Sequence, residues 1–377
     1  FFIVGESIPQ WSLDETHKLL NICPGLWDFK SQPNTVQIPN FLPAGNVSRP
    51  SIVSLMSGIY DAGLELNERE QFWNGSFPTS FAYQMKQLGY QTIYWYGGNA
   101  SYGNFNHFGK AQGFDRVESA SIFCGPDAPK TWVGVYDHIF LENMEQQIKA
   151  LDTPTFHFIY TTSNHSPYKI EDSLLDYDPA TVMPHVGEDL RSNKTRNKEL
   201  ATYRYSDKAL FSFVDSMKKA YPDSLFIITG DHSNLFGSLN NTSLIHRDYT
   251  LRDTFCTVAL LQHPDLDSNM ITTQKGTHMS LMPTIIEAIA PKGFEYYSIT
   301  PSLFDDQPET LVTPYQWITD SLMGDVRSDY GESNQPSAEP VTPIRPIDNH
   351  AKEARDWSLL TTWLINHEEK LFSKKDD

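Results

Sequence analysis

Three short motifs of this 377-residue chain carry residue types that bind metals and attack phosphorus. Glu6 ends the apolar run FFIVGES, Asp231 and His232 follow the run LFIITG, and Ser48 precedes Pro50 in NVSRPSIVSLMSG. One glutamate, one aspartate, one histidine and a serine oxygen form a four-ligand N/O set that suits zinc or manganese. A carboxylate at a strand end is, taken alone, more often a turn residue. The prediction of a metal site therefore rests on the whole set.

The segment around Ser48 is typical of a short helix. Ser48 stands at or just before the predicted N-cap, Pro50 falls in the first turn, and Gly58 follows as the stop. A serine in this position is either an ordinary cap or a nucleophile at the positive end of a helix, where free N–H groups stabilise a phosphoryl group. The segment alone favours the cap, and the accompanying ligand set favours the nucleophile.

The elements that must position these residues are short apolar, β-rich runs separated by helix-length segments. The runs are Phe1–Val4, Thr92–Tyr96, Thr155–Thr161, Leu225–Thr229 and Thr257–Leu261. Such an alternation indicates an α/β fold with a mostly parallel central sheet between helices. Sites in open α/β sheets lie at the carboxyl ends of the strands. The polar residues that follow the runs are Glu6, Asn164, His165, Asp231 and His232. The sequence therefore predicts one site at that edge of the sheet.

Composition excludes several classes of function. Lys and Arg total 29 against 47 Asp and Glu, a formal net charge of -18, so non-specific attraction to nucleic acid or to an anionic membrane is excluded. An anionic substrate then requires a local positive element, such as a metal ion or a helix N-terminus. The three cysteines are scattered, so three thiols are a simpler interpretation than one disulfide. No apolar run reaches the roughly 18 residues of a membrane span.

The amino-acid composition of the chain changes near residue 305, where Pro, acidic and small polar residues become frequent. We predict a metal-dependent catalytic domain over residues 1–305 and an extension over residues 306–377 that ends in an amphipathic helix. The helix would pack on the domain through Trp357, Leu360, Trp363 and Leu364. Because the chain opens inside a core strand, we expect a segment N-terminal to it in a longer protein.

The ordered motifs FFIVGES, S-x-P-S-x(6)-G and GDHS resemble the alkaline phosphatase/sulfatase superfamily over about residues 1–305. The likeness is strongest to the lipoteichoic acid synthase type and its phosphoglycerol and phosphoethanolamine transferase relatives. This resemblance implies one divalent metal ion, manganese or zinc with magnesium as a third option. It implies the ligands Glu6, Ser48, Asp231 and His232, with Ser48 also the nucleophile.

The same resemblance implies roles for two further histidines. His165 in NHSPY and His278 in HMSLMPT correspond to family histidines, as catalytic or phosphate-binding residues. For each, the alternative is an ordinary structural histidine. Asn164, next to His165, is a candidate for substrate binding.

Three departures from family patterns bear on the nucleophile and the substrate. Ile52 stands where formylglycine sulfatases have Arg, which argues for an unmodified serine nucleophile. In YGGNASYGNF, Tyr96 and Phe105 replace the His and Arg that hold phosphate in teichoic-type synthases, so the metal becomes more important for that task. Tyr96, Asn99 and Asn104 in this frame are further substrate-binding candidates. Three cysteines also cannot supply the disulfides usual in lipid A phosphoethanolamine transferases.

The resemblance implies a phosphotransferase that moves a phosphoglycerol-type or phosphoethanolamine group from a phospholipid to a glycan or polymer hydroxyl, through a phospho-Ser48 intermediate. A phosphodiesterase, phosphatase or sulfatase-like hydrolase is the enzymatic alternative, and an inactive headgroup- or glycan-binding domain is the non-enzymatic one. The expected protein is a monomer without a nucleic-acid partner. It would be the soluble domain of a membrane-anchored protein at the extracytoplasmic face of a bacterial membrane, with the membrane segment N-terminal to this chain.

Overall fold

A computed structural model describes residues 1–178, 193–233, 250–327, 331–335 and 348–367, and structural statements below refer to these residues. The Pro-rich stretch at 336–347 and the end of the predicted last helix, beyond residue 367, lie outside them.

Thirteen strands are described. They are β1 (Phe2–Gly5), β2 (Thr35–Gln37), β3 (Asn40–Leu42), β4 (Gln91–Tyr96), β5 (Arg116–Ser119), β6 (Thr155–Tyr160), β7 (Phe226–Gly230), β8 (Ala259–Gln262), β9 (Lys275–Thr277), β10 (Leu311–Val312), β11 (Gln316–Ile318), β12 (Leu322–Asp325) and β13 (Gly331–Ser333). All five apolar runs predicted as strands are strands. The short β2, β3, β5 and β9, and the four C-terminal strands, were not predicted.

The helices of the described residues follow the strands as expected for an α/β fold. They are α1 (Pro24–Lys30), α2 (Ser48–Ser57), α3 (Phe81–Gln87), α4 (Phe105–Ala111), α5 (Ala120–Phe123), α6 (Asp137–Lys149), α7 (Lys194–Ala220), α8 (Leu251–Phe255), α9 (His278–Ile289) and α10 (Asp348–Asn366). Short 3₁₀ helices span Gln10–Leu13, Glu15–Leu20, Leu66–Glu68, Glu70–Trp73, Tyr102–Asn104, Asp172–Leu174 and Ser268–Met270.

The central sheet has seven strands in the order β2-β8-β7-β1-β6-β4-β5. The five strands from β7 to β5 run parallel, and β8 pairs antiparallel with both β7 and β2. Successive side chains of β1 enter opposite cores: Phe2 and Val4 pack on one face of the sheet and Ile3 on the other. Because both faces are buried, the strands read as continuous apolar runs, and the predicted fold class is confirmed.

The C-terminal part forms a second sheet and a helix. Strands β10 to β13 pair antiparallel in chain order. Helix α10 packs against Tyr60: Thr361 Oγ1 donates to the Tyr60 carbonyl at 2.6 Å, and the Trp357 ring lies 5.2 Å from the Tyr60 ring. Leu364 is buried, as predicted.

Two of the four residues predicted to pack on the domain are exposed instead. Leu360 is 38% exposed and Trp363 is 45% exposed. The residues that face the domain are Ala354, Trp357, Thr361 and Leu364, which recur every three or four positions.

The domain boundary at residue 305 stays a prediction. Cys23, Cys124 and Cys256 are free thiols. None of the helices in the described residues is both long enough and apolar enough to span a membrane.

Candidate functional site

Two neighbouring parallel strands bring the predicted metal ligands together. Strands β1 and β7 pair with Gly5 opposite Gly230, so Glu6 and Asp231 leave the sheet side by side at its carboxyl edge. Ligand atoms of Glu6, Asp231 and His232 all lie within 4.8 Å of one another, and all three residues are buried. His232 Nε2 is 3.5 Å from Asp231 Oδ2 and 3.9 Å from Glu6 Oε1.

Ser48 completes the cluster from the N-terminus of α2. Its Oγ lies 3.4 Å from Glu6 Oε2 and 3.3 Å from His232 Nε2. The N-cap is Val47, whose side chain cannot cap, and Ser48 is the first helical residue, one position further than predicted. Gly58 ends the helix with a positive φ of 70°, as the glycine stop predicts. The serine hydroxyl is therefore directed to the cluster rather than used as a cap.

A second layer of hydrogen bonds orients these ligands. The Tyr160 hydroxyl lies 2.7 Å from Glu6 Oε2 and 3.1 Å from Asp231 Oδ2. Ser7 donates through its Oγ to Glu6 Oε1 and through its backbone N–H to Asp231 Oδ1, both at 2.7 Å. His232 Nδ1 lies 2.6 Å from the adjacent Ser233 carbonyl, an oxygen that can only accept, so the proton sits on Nδ1. The lone pair of His232 Nε2 then faces the cluster, as metal ligation requires.

The electrostatics of the cluster call for a cation. Burial raises the pKa of Glu6, and the charge of Asp231 raises it further. Burial lowers the pKa of His232, but the charges of Asp231 and Glu6 outweigh that effect and the net shift is upward. Two buried carboxylates thus face a single imidazole. The donor set of two carboxylates, one imidazole nitrogen and one hydroxyl fits a divalent metal such as zinc or manganese.

A cavity of about 390 Å³ adjoins Ser48 and Tyr160. His165 lines it, as predicted for a residue that touches substrate. Its Nδ1 lies 2.6 Å from the Ser166 carbonyl and its ring meets Trp132 edge-on at 5.0 Å. Among the described residues, His165 Nε2 has no hydrogen-bond partner, so it is available to a ligand.

Two of the four predicted substrate-binding residues line this cavity. Tyr96 is buried and stacks on Tyr160 at 5.3 Å, and burial holds the pKa of its hydroxyl above the usual value. Asn99 is exposed at the wall, where its Oδ1 accepts from the Ser101 N–H.

The other two lie elsewhere. Asn104 precedes α4 and donates to Glu68. Asn164 is buried and donates to the Glu6 carbonyl at 3.1 Å. Asn164 therefore supports the backbone of a predicted metal ligand.

His278 occupies a structural position behind the cluster. It is the first residue of α9 and is 1% exposed. Its Nδ1 accepts from the Ala44 N–H at 3.1 Å, and its Nε2 donates to the Gly230 carbonyl at 3.0 Å. Burial lowers the pKa of His278 to about 3, so the ring is neutral. With both nitrogens engaged, this histidine positions the end of β7 and has no atom free for the substrate.

Sequence reasoning missed three residues of the site. Tyr160 is the last residue of β6, so its place at the carboxyl edge of a predicted strand could have been found. Arg49 follows the nucleophile directly and lines the cavity. Trp132 lies in a loop at the cavity mouth, and no sequence signal indicated it.

Fold and site together define an α/β domain with a buried cluster of potential metal ligands at the carboxyl edge of its central sheet. The structure is similar to the lipoteichoic acid synthase LtaP from Listeria monocytogenes, with a TM-score of 0.77, 15% identity, and coverage of 97% of this chain and 92% of that chain. It is also similar to a protein in the alkaline phosphatase superfamily from Vibrio parahaemolyticus, with a TM-score of 0.73, 19% identity, and coverage of 99% and 88%.

The sulfatase family model matches residues 1–290, and the chain belongs to that family. Lipoteichoic acid synthase 1 of Bacillus subtilis (strain 168) is 22% identical over 255 residues, which are 64% of this chain and 38% of the relative. The lipoteichoic acid synthase-like YvgJ of the same strain is 27% identical over 152 residues, 39% of this chain and 23% of the relative. The chain spans less than two-fifths of the length of either relative.

Proposed function

We propose that this domain is a metal-dependent phosphotransferase. It moves a phosphoglycerol-type or phosphoethanolamine group from a phospholipid to a glycan or polymer hydroxyl, through a covalent intermediate on Ser48. The observation that carries the proposal is the position of Ser48 Oγ, 3.4 Å from Glu6 Oε2 and 3.3 Å from His232 Nε2 at the N-terminus of α2. The similarity to two proteins named as lipoteichoic acid synthases supports the reaction class.

Glu6, Asp231, His232 and Ser48 would hold one divalent cation, for which the donor set favours manganese or zinc, with magnesium as a third option. When bound, such an ion polarises a phosphoryl oxygen and lowers the pKa of the nucleophile.

The residues of the chain perform the two transfers. Ser48 Oγ attacks phosphorus, its proton leaves toward a neighbouring ligand side chain, and the bond between phosphorus and the glyceride oxygen breaks. The product is a phosphodiester on Ser48 and a free diacylglycerol. An acceptor hydroxyl then attacks the same phosphorus, the Ser48 Oγ–phosphorus bond breaks, and the serine recovers a proton. The N–H groups of Ser48 and Arg49, at the start of α2, have no intrahelical partner and would stabilise the negative charge of the bound group.

His165 is the proposed partner of the reacting phosphate. Its unpartnered Nε2 lies in the same cavity as Ser48, where it can bind a phosphate oxygen or protonate the leaving glyceride oxygen. Tyr160 remains a neutral donor to the carboxylates, because burial and the charges of Asp231 and Glu6 raise its pKa well above the usual value.

Intact-mass measurement after incubation with phosphatidylglycerol or phosphatidylethanolamine and Mn²⁺ tests this function. We expect a mass increase equal to the phosphoglycerol or phosphoethanolamine group in the native chain and none in Ser48→Ala. A persistent adduct supports transfer, whereas fast release of the headgroup phosphate to water supports the hydrolase alternative. Absence of an adduct together with absence of turnover of any phosphodiester, with manganese or zinc supplied, contradicts both.

The cellular setting belongs to the same proposal. We infer that the domain acts at the extracytoplasmic face of a bacterial membrane, anchored by a segment outside this chain, because donor lipids are presented there.

A further inference from the structure

Arg49 supplies the one permanent positive charge among the described residues that line the cavity. The cavity adjoins two buried carboxylates, and its other wall residues are apolar, aromatic or uncharged polar, apart from the titratable His165. An anionic phosphodiester that enters this cavity meets a negative field unless a cation opposes it. The neighbour of the nucleophile is the residue placed to do so.

The guanidinium of Arg49 is held on one side only. Its Nη1 lies 3.3 Å from Glu68 Oε1 and 3.5 Å from Glu65 Oε1, and its Cζ lies 5.5 Å from the centre of the Tyr102 ring. Both carboxylates contact the same nitrogen. Among the described residues, Nε and Nη2 of Arg49 donate to no acceptor, which leaves the two-donor edge of the guanidinium free.

The ion pairs of Arg49 orient the side chain and contribute little to folding. The side chains of Glu65 and Glu68 are 62% and 32% exposed, and that of Arg49 is 33% exposed, so solvent screens both pairs. A stabilising role for this arginine is therefore weak. The free edge, in contrast, has the geometry that pairs with two oxygens of a phosphate.

The side chain of Arg49 lies beside the turn that contains Gly103. A Cβ atom on Gly103 would lie 3.7 Å from Arg49 Nε, so the guanidinium lies against the turn between Tyr102 and Phe105. Gly103 has a positive φ of 66°, which an L side chain adopts only with strain. The aromatic Phe105 and Tyr96 on this wall carry no charge, and Arg49 is the cation that stands beside them.

We propose that Arg49 binds the phosphate of the transferred group through Nε and Nη2, while Glu65 and Glu68 hold the opposite nitrogen and so aim that edge into the cavity. The inference rests on the proposed function, because it assigns a phosphate ligand to the same cavity. It names a binding residue that motif analysis of the chain does not supply.

Binding of glycerol 3-phosphate, measured by isothermal titration calorimetry in the presence of Mn²⁺, tests the inference. The Ser48→Ala background prevents turnover. Adding Arg49→Gln should raise the Kd about 10- to 100-fold, as for loss of a charge-assisted hydrogen bond pair. Arg49→Lys should recover part of this loss, because lysine restores the charge but not the paired donors. Arg69→Gln is the matched control: Arg69 is exposed, lies outside the cavity lining and donates to the Leu64 carbonyl, so it should leave the Kd unchanged.

The outcomes separate the inference from the proposed function. Equal affinity with and without Arg49 overturns the inference and leaves the phosphate site intact. Equal weakening by Arg49→Gln and Arg69→Gln also overturns it, because the effect is then one of general charge. No binding in the native chain or in the Ser48→Ala protein, each with Mn²⁺ bound and a native thermal transition, removes the phosphate site and the proposed function with it.

Discussion

Replacing Tyr160 with phenylalanine should weaken binding of a divalent cation while leaving the sheet intact. The Tyr160 hydroxyl contacts both buried carboxylates, at 2.7 Å from Glu6 Oε2 and 3.1 Å from Asp231 Oδ2. It therefore restrains the two groups relative to each other. Its ring is 3% exposed and stacks on Tyr96, and phenylalanine preserves that packing.

The magnitude follows from the bond that is lost. A hydrogen bond to a charged group contributes about 1.5–3 kcal/mol. Loss of a partner that orients a metal ligand costs 10- to 100-fold in metal affinity, about 1.4–2.8 kcal/mol. An opposing effect exists, because the hydroxyl also competes with a cation for the Glu6 oxygen. Because the hydroxyl contacts both carboxylates, we expect the loss of orientation to exceed the loss of competition.

Titration of the metal-free protein with Mn²⁺ and with Zn²⁺ measures this effect, and the chain offers a matched control. Tyr94 is fully buried in the adjacent strand β4 and stacks on Tyr96 at 6.0 Å. Its hydroxyl has no described hydrogen-bond partner. Tyr94→Phe should therefore leave the metal Kd unchanged, whereas Tyr160→Phe should raise it about 10- to 100-fold.

Three results would refute this reasoning. An unchanged Kd in Tyr160→Phe would show that Ser7 and the backbone suffice to orient the carboxylates. A lower Kd would show that the hydroxyl acts mainly as a competitor of the cation. Equal weakening in Tyr94→Phe would point to general damage of the sheet.

Two further predictions concern stability. Burial raises the pKa of Asp207 from 3.8 to about 7. Between these two pH values the folded protein therefore holds a proton that the unfolded chain has released. As pH rises from 4 to 8, the free energy of unfolding should fall by at most about 4 kcal/mol from this group. Urea denaturation across this range should show a flatter profile in Asp207→Asn, and an unchanged profile would contradict the assignment. Trp357→Ala should lower the free energy of unfolding by about 2 kcal/mol through lost packing, while Leu360→Ala on the exposed face should change it by less than about 0.5 kcal/mol. Equal effects of the two alanine substitutions would contradict the observed face of α10.

The central sheet was predictable because its strands are buried on both faces. Strand β1 shows this: Phe2, Ile3 and Val4 are all fully buried, and no polar residue interrupts the run. The first polar residue after such a strand stands at the sheet edge by necessity, which is why Glu6 and Asp231 could be placed at one site. Their direct adjacency depends on the pairing of β1 with β7. That pairing joins segments more than 200 residues apart, and no local pattern encodes it.

The C-terminal sheet and several short strands were not predictable for a physical reason. Strands β10 to β13 are two to four residues long, too short for an alternating pattern to stand out. Their residues also lie in a stretch whose Pro and acidic content is typical of irregular chain. The second sheet is stabilised by contacts with other segments, such as the packing of Leu311, Ile318 and Met323 on Leu42 and Cys256.

His278 shows how a motif match can be correct in sequence and different in role. The residue begins α9 at the place expected from the family pattern. Its environment, however, comes from Ala44 and Gly230, which lie on distant segments and occupy both ring nitrogens. The protonation and availability of a histidine depend on these partners. For this reason the family resemblance implied a catalytic or phosphate-binding role for His278, whereas its contacts in the structure favour the structural alternative.

The acidity of the chain sets two separate electrostatic problems at this site. On the side of the sheet, Glu6 and Asp231 are buried together and face only one imidazole, so the cluster requires a cation to be stable in its ionised form. On the side of the cavity, a phosphodiester must approach those same carboxylates. A single metal ion can neutralise the two buried carboxylates, but those ligands then balance most of its positive charge. Arg49, restrained by Glu65 and Glu68 with two donors free, answers the second problem independently. In the proposed mechanism, activation of Ser48 at the metal is therefore separate from retention of the substrate anion at Arg49.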